Sequence, residues 1–257
     1  MNLLIKSATI SDPGSPFYQQ VADVLIEKGH IIKIAKKISS DFETFDARGK
    51  DLLPGFFDLN CNIGELGLET KEDLKTGTHA AAAGGFTGVA LMPNTIPPVH
   101  SKAEIEYLMN RAKNNLVDVY PLGTLSHKRE GKDLAEMYDM RASGAVAFSD
   151  GLHPIQSSGL MVKALQYVKA FDGVVIQIPD DTSIAKQGLM HEGIISTRLG
   201  LQGKPMIAEE LIVARDIKLA RYTDSHIHFT GVSSPKSIEY IRRAKESGLN
   251  VSCSVTP

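Results

Sequence analysis

The stretch Leu53-Pro54-Gly55-Phe56-Phe57-Asp58-Leu59-Asn60-Cys61-Asn62 marks the point where the chain changes character. Before it, residues 1–52 carry short apolar runs, at 3–6, 8–10, 21–26 and 30–34, separated by a Pro/Gly/Ser turn at 12–15 and a turn at 27–30. Hairpin-like runs of this kind predict a small β-domain, part of a β-sandwich. Alone it is too short for a robust core. From residue 53 to 257, apolar runs alternate with amphipathic helical stretches, the pattern of βαβ units on a parallel sheet.

In that second region the pattern predicts strands at 52–59, 88–92, 118–122, 144–148, 174–178, 226–229 and 250–255. Helices are expected at 70–83, 102–113, 134–142, 159–171, 208–220 and 235–247. Gly84-Gly85, Gly173 and Gly248 stand where helices should stop. The expected fold is α/β, a TIM-type (β/α)8 barrel. Seven strands are one short of closure, so the barrel reads as truncated before its eighth strand. An open doubly wound sheet is the alternative. An unclosed barrel leaves backbone unpaired at its first and seventh strands, which favours a homo- or hetero-oligomer.

Composition narrows the classes. The 257 residues are 42% hydrophobic and 23% charged, ordinary values for a globular domain. Lys and Arg number 28 against 30 Asp and Glu, a formal charge of −2 with both signs interspersed, so neither nucleic acid nor an anionic membrane is an expected partner. No apolar run has transmembrane length. Two cysteines, Cys61 and Cys253, make no disulfide framework and fit a reducing cytoplasm.

Four segments, in this order and spacing, carry a resemblance. They are Pro54-Gly55-Phe56-Phe57-Asp58; Gly77-Thr78 with residues 80–87; Met92-Pro93-Asn94-Thr95; and Phe148-Ser149-Asp150-Gly151. Gly188-Leu189-Met190-His191-Glu192-Gly193 is a fifth. Together they resemble the dihydroorotases of the amidohydrolase superfamily, in the long-barrel form often found with aspartate transcarbamoylase. The resemblance covers nearly the whole chain. It implies interconversion of N-carbamoyl-aspartate and dihydroorotate in pyrimidine synthesis, with a zinc-bound hydroxide attacking the ring carbonyl at the C-terminal face of the barrel.

Carried over position by position, the resemblance implies a degraded site. The first-strand histidine pair falls on Asn60 and Asn62, and the arginine that would hold a substrate carboxylate falls on Gly64. The fourth-strand acidic ligand matches Asp150, and a substrate-contacting asparagine matches Asn94. The fifth-strand histidine falls on Gln177 and the sixth-strand histidine on Gly231, with His228 nearby as a lone imidazole. The general-base aspartate of strand eight would lie beyond Pro257. Neutral amides suit Zn²⁺ poorly. Of the metal positions only Asp150 is retained, so no metal and no catalytic residue is expected. Asn60, Asn62, Gly64, Asn94 and Gln177 remain as pocket candidates.

The expected function is therefore a catalytically inactive dihydroorotase-like protein supporting another enzyme, with aspartate transcarbamoylase the candidate partner. An active zinc-dependent dihydroorotase is the alternative, and a small-molecule binding module using the amides is a third. Other candidates have plainer readings. His79, His100, His127 and His153 lack paired spacing and read as surface or loop residues. Lys128-Arg129 reads as solvated surface. Asp180-Asp181 either faces the pocket or serves a helix N-terminus.

Overall fold

The computed structural model describes residues 1–185 and 187–255. The chain divides into two compact units, Met1–Phe56 and Phe57–Pro257.

The first unit contains β1 (Leu3–Ile10), β2 (Val21–Glu27), β3 (His30–Ala35), β4 (Thr44–Asp46) and β5 (Asp51–Leu52). They form one five-stranded sheet in the order β3-β2-β1-β4, with β5 also on β1. Among the described residues this unit holds one sheet, the small β-domain that the sequence pattern predicts. Residues 3–6 and 8–10, separate in the sequence pattern, are one strand with a bulge. Ser7 takes φ 56° there, and Asp23 Oδ1 accepts its N–H at 2.9 Å. Ile10, Ala22 and Val24 are the buried centre.

The second unit alternates strands and helices. In chain order it runs β6 (Phe56–Cys61), α1 (Leu74–Ala83), β7 (Phe86–Leu91), α2 (Lys102–Ala112), β8 (Asp118–Pro121), a 3-10 turn (His127–Arg129), α3 (Met137–Ala142), α4 (Ser158–Lys169) and β9 (Val174–Gln177). Then come α5 (Thr182–Ala185), β10 (Met190–His191), α6 (Ile194–Leu199), β11 (Gly203–Lys204), α7 (Ile207–Thr223), β12 (His226–Val232), α8 (Pro235–Glu246) and β13 (Val251–Val255). Local chemistry starts the helices. Asp73 and Thr76 cap α1 reciprocally, Ser101 and Glu104 do the same for α2, and Ser234 precedes Pro235 at the first turn of α8. Residues 182–185 and 190–204 carry short elements that the sequence pattern missed, because each is too brief to show a period.

The larger strands pair in chain order. β6, β7 and β8 are neighbours, and β9, β12 and β13 follow as β13-β12-β9. Phe148 links the two groups through parallel bridges to Gly123 and Val175. The strand expected at 144–148 is thus reduced to a bridge residue. Its backbone is still bonded on both sides: Gly123 N–H donates to Ala147 O at 3.1 Å and Phe148 N–H to Val174 O at 3.0 Å.

The inner strands β7 and β9 are buried on both faces, which is why they read as continuous apolar runs, whereas β6 is largely exposed. Val89, Leu91, Phe148, Val175 and Ile227 pack on the helix side. The alternate residues Ala90, Met92, Leu122, Ala147 and Ile176 form a second cluster. Among the described residues, no helix is long and apolar enough to cross a membrane.

Phe148 is fully buried and joins the two strand groups. Phe148→Ala should therefore cost about 3–5 kcal/mol of unfolding free energy, measured by urea denaturation. A loss under about 1 kcal/mol would show that the array does not depend on this residue.

Candidate functional site

The strand ends bring several of the expected positions together. Asn60 and Asn62, at the end of β6, are both exposed. Asn62 Oδ1 accepts from Asn94 Nδ2 at 2.7 Å, and Asn62 Nδ2 lies 3.3 Å from Asn60 O as donor. Asn94 follows β7. Its Oδ1 accepts from Arg129 Nη1 at 2.6 Å. The amides are therefore engaged with one another and with a guanidinium.

Arg129 corrects the sequence reading, in which Lys128-Arg129 was solvated surface. Lys128 and Arg129 take φ 51° and 58° in succession. For residues with a Cβ this left-handed backbone costs about 1–2 kcal/mol each. The turn it makes brings the Arg129 side chain inward, half-buried, while Lys128 stays exposed. Nothing in a two-residue charge run signals this. Burial pushes the Arg129 pKa down, and the nearby charge of Asp150 opposes that.

Asp150 lies at the end of the bridging segment and is buried. Its Oδ1 accepts from Leu125 N–H at 2.8 Å and Ser126 N–H at 2.9 Å, and its Oδ2 accepts from Ser126 Oγ. Ser126 Oγ in turn accepts from Gly131 N–H at 2.9 Å. Burial raises the Asp150 pKa; these hydrogen bonds and the Arg129 charge only partly offset it. The next residue must be glycine. Gly151 has φ 57°, and a Cβ there would stand 2.2 Å from Asn94 Oδ1.

The other expected positions lie apart from this group. Gln177 is buried at the end of β9 and exchanges hydrogen bonds with the Ile155 backbone, at 3.2 and 3.4 Å. Gly231, at φ 73°, lines a cavity of about 380 Å³ with Asp180, His191 and Lys204. Asp180 pairs there with Lys204 at 2.6 Å, whereas Asp181 accepts from Ser183 N–H at 3.0 Å at the start of α5. Each of the two readings of that acidic pair thus holds for one residue. Gly64 is a packing position: a Cβ would meet Leu68 O at 2.2 Å and Glu72 O at 2.8 Å. His228 has a serine hydroxyl at each ring nitrogen, Ser252 Oγ at 2.9 Å and Ser254 Oγ at 3.2 Å. Burial, with His226 beside it, holds its pKa below the ordinary value.

Sequence reasoning also missed two pairings. His100 and His127 are not isolated; their rings meet edge-on with centroids 4.8 Å apart. Arg215 and Asp216 form a pair at 2.7 Å behind Gln177, and Arg215 also donates to Ile155 O at 2.8 Å and Gln156 O at 2.6 Å. Adjacent residues on one helix give no spacing signal for such a pair.

The zinc that the resemblance implies does not fit these residues. Asn60 and Asn62 offer neutral amides, Gly231 offers no side chain, and both oxygens of Asp150 are already bonded. Among the described residues, no group of three or more His, Cys, Asp or Glu is placed to hold a metal ion. Zinc sites use imidazole, thiolate or carboxylate donors in such groups.

Comparison with known proteins bears first on the fold. The chain is similar to the L-hydantoinase (dihydropyrimidinase) of Arthrobacter aurescens, with a TM-score of 0.80 at 23% identity over 100% of this chain and 58% of that one. It is also similar to the dihydropyrimidinase of Brevibacillus agri, with a TM-score of 0.76 at 20% identity over 99% and 57%. These likenesses speak to the fold.

Sequence carries the rest. The dihydro-orotase-like family model matches residues 49–237. The chain is 44% identical to the dihydroorotase of Acetivibrio thermocellus, over 99% of this chain and 60% of the relative. It is 43% identical to that of Geobacter sulfurreducens, over 100% and 61%. The chain belongs to the dihydro-orotase-like family and spans about three fifths of the length of these curated relatives.

Asp216 gives a pH test of this packing. Its carboxyl is buried, and burial raises its pKa from 3.8 to about 6 despite Arg215 and Gln177. A carboxyl with a raised folded-state pKa binds its proton more tightly folded than unfolded. Between those two values stability therefore falls as pH rises, by on the order of 2–3 kcal/mol. Urea unfolding from pH 4 to 7 should show a shallower fall in Asp216→Asn than in the parent. Equal slopes would contradict the raised pKa.

Proposed function

We propose that this chain is a dihydroorotase-like protein of the pyrimidine pathway that does not itself carry out metal-assisted ring opening. It acts instead as a structural or regulatory partner of another enzyme, with aspartate transcarbamoylase the candidate. The observation that carries this reading is the Asp150 carboxylate. It matches the family's acidic ligand position, yet Leu125 and Ser126 donate three hydrogen bonds to it. Three of its roughly four acceptor sites are thereby taken, and the remaining positions supply no second charged donor.

Two further observations agree. Asn94 matches a substrate-contacting position but bonds to Arg129 and Asn62. Gly64, where the resemblance implies an arginine, is packed against the backbone of Leu68 and Glu72 and has no room for a longer side chain.

The purified protein is expected to retain no stoichiometric zinc after dialysis, and restoring Asn60→His with Asn62→His is expected to give no dihydroorotase activity. Elemental analysis and a dihydroorotate assay check both. One equivalent of zinc, lost in Asp150→Ala, would overturn the reading. Sedimentation with purified aspartate transcarbamoylase tests the partner: a complex is expected, and independent migration would remove that candidate.

A further inference from the structure

We propose that Arg129 makes the cavity beside it a receptor for a small oxyanion. A cavity of about 430 Å³ lies between the loops at 129–131 and 152–156, and its lining includes the polar residues Arg129, His153, Gln156 and Thr182 with the apolar Leu152 and Pro154. That volume suits a small molecule.

The charge balance points to an anion. Among the described residues, Arg129 Nη1 bonds to the neutral amide of Asn94. Its Nε is buried and has no hydrogen-bond partner among the described residues. A guanidinium presents a fork of donors that matches two oxygens of one acid. Asp150 is close enough for its charge to act on Arg129, but Leu125 and Ser126 occupy its oxygens. Glu130, the carboxylate on the cavity wall, is exposed and paired with Lys132 at 3.4 Å. Among the described residues, Arg129 forms no ion pair with a carboxylate.

The backbone supports the same conclusion. Two successive left-handed residues, Lys128 and Arg129, hold the guanidinium at this place. Strained conformations of this kind persist where surrounding structure fixes them and concentrate at ligand sites. His153 is exposed at the cavity rim and can add a donor to the same ligand. A carboxylate and a phosphate share the chemistry that this site would recognise. The inference concerns binding alone, so it stands whether or not the chain is silent as a hydrolase.

The test is calorimetric titration of the whole chain at constant ionic strength, with inorganic phosphate in one series and succinate in the other. Saturable binding of at least one is expected, and the anion that binds distinguishes a tetrahedral from a planar preference. Arg129→Gln should weaken it about tenfold or more, with a smaller loss in Arg129→Lys. His153→Ala, at an exposed position, should weaken it a few-fold without disturbing the fold. Absence of saturable binding by either anion would overturn the proposal, as would unchanged affinity in Arg129→Gln. If that variant does not fold, unchanged affinity in His153→Ala would overturn it instead.

Discussion

The hydrogen bonds that Leu125 and Ser126 donate to Asp150 organise this face of the protein. They tie the segment after β8 to the end of the bridging segment at Phe148. A buried carboxylate in an apolar surrounding is costly unless its oxygens are bonded. Here three donors and a nearby guanidinium reduce that cost, yet burial still raises its pKa. The carboxylate is held in place by its own chain.

From this anchor the neighbouring residues follow. Ser126 bonds both Asp150 and Gly131, which brackets the turn that carries Arg129. Arg129 then reaches Asn94, and Asn94 reaches Asn62, so that one polar chain crosses the ends of the second, third and fourth strand positions and returns to the first. Gly151 is required because any Cβ would collide with the Asn94 amide. On the other side, Gln177 and Arg215 are bonded to the backbone of Ile155. The two groups are separate polar networks, each internally satisfied in large part. Such networks hold a unique geometry when their members are paired.

The alternating βα pattern was legible because six of its seven predicted strands and its longer helices have clear apolar runs and caps, as with Ser101 and Glu104 at α2. The segment at 144–148 was harder, since Gly144 at φ 119° and a single bridge residue do not form a regular strand. The bulge at Ser7 split one strand into two on the page, because the side-chain alternation breaks there. Motif positions located Asn62, Asn94 and Asp150 on one face. They did not reveal Arg129, whose role depends on a left-handed turn that no residue in Lys128-Arg129 announces. Nor did they show that Gly64 is closed in by backbone, because that depends on the path of residues 68–72.

The most direct measurement is anomalous diffraction from crystals grown with excess zinc. The expected map shows Asp150 still bonded to Leu125 N–H, Ser126 N–H and Ser126 Oγ, with no zinc peak beside it. An ordered zinc peak at about 2.0–2.2 Å from an Asp150 oxygen, with Ser126 displaced, would contradict the account.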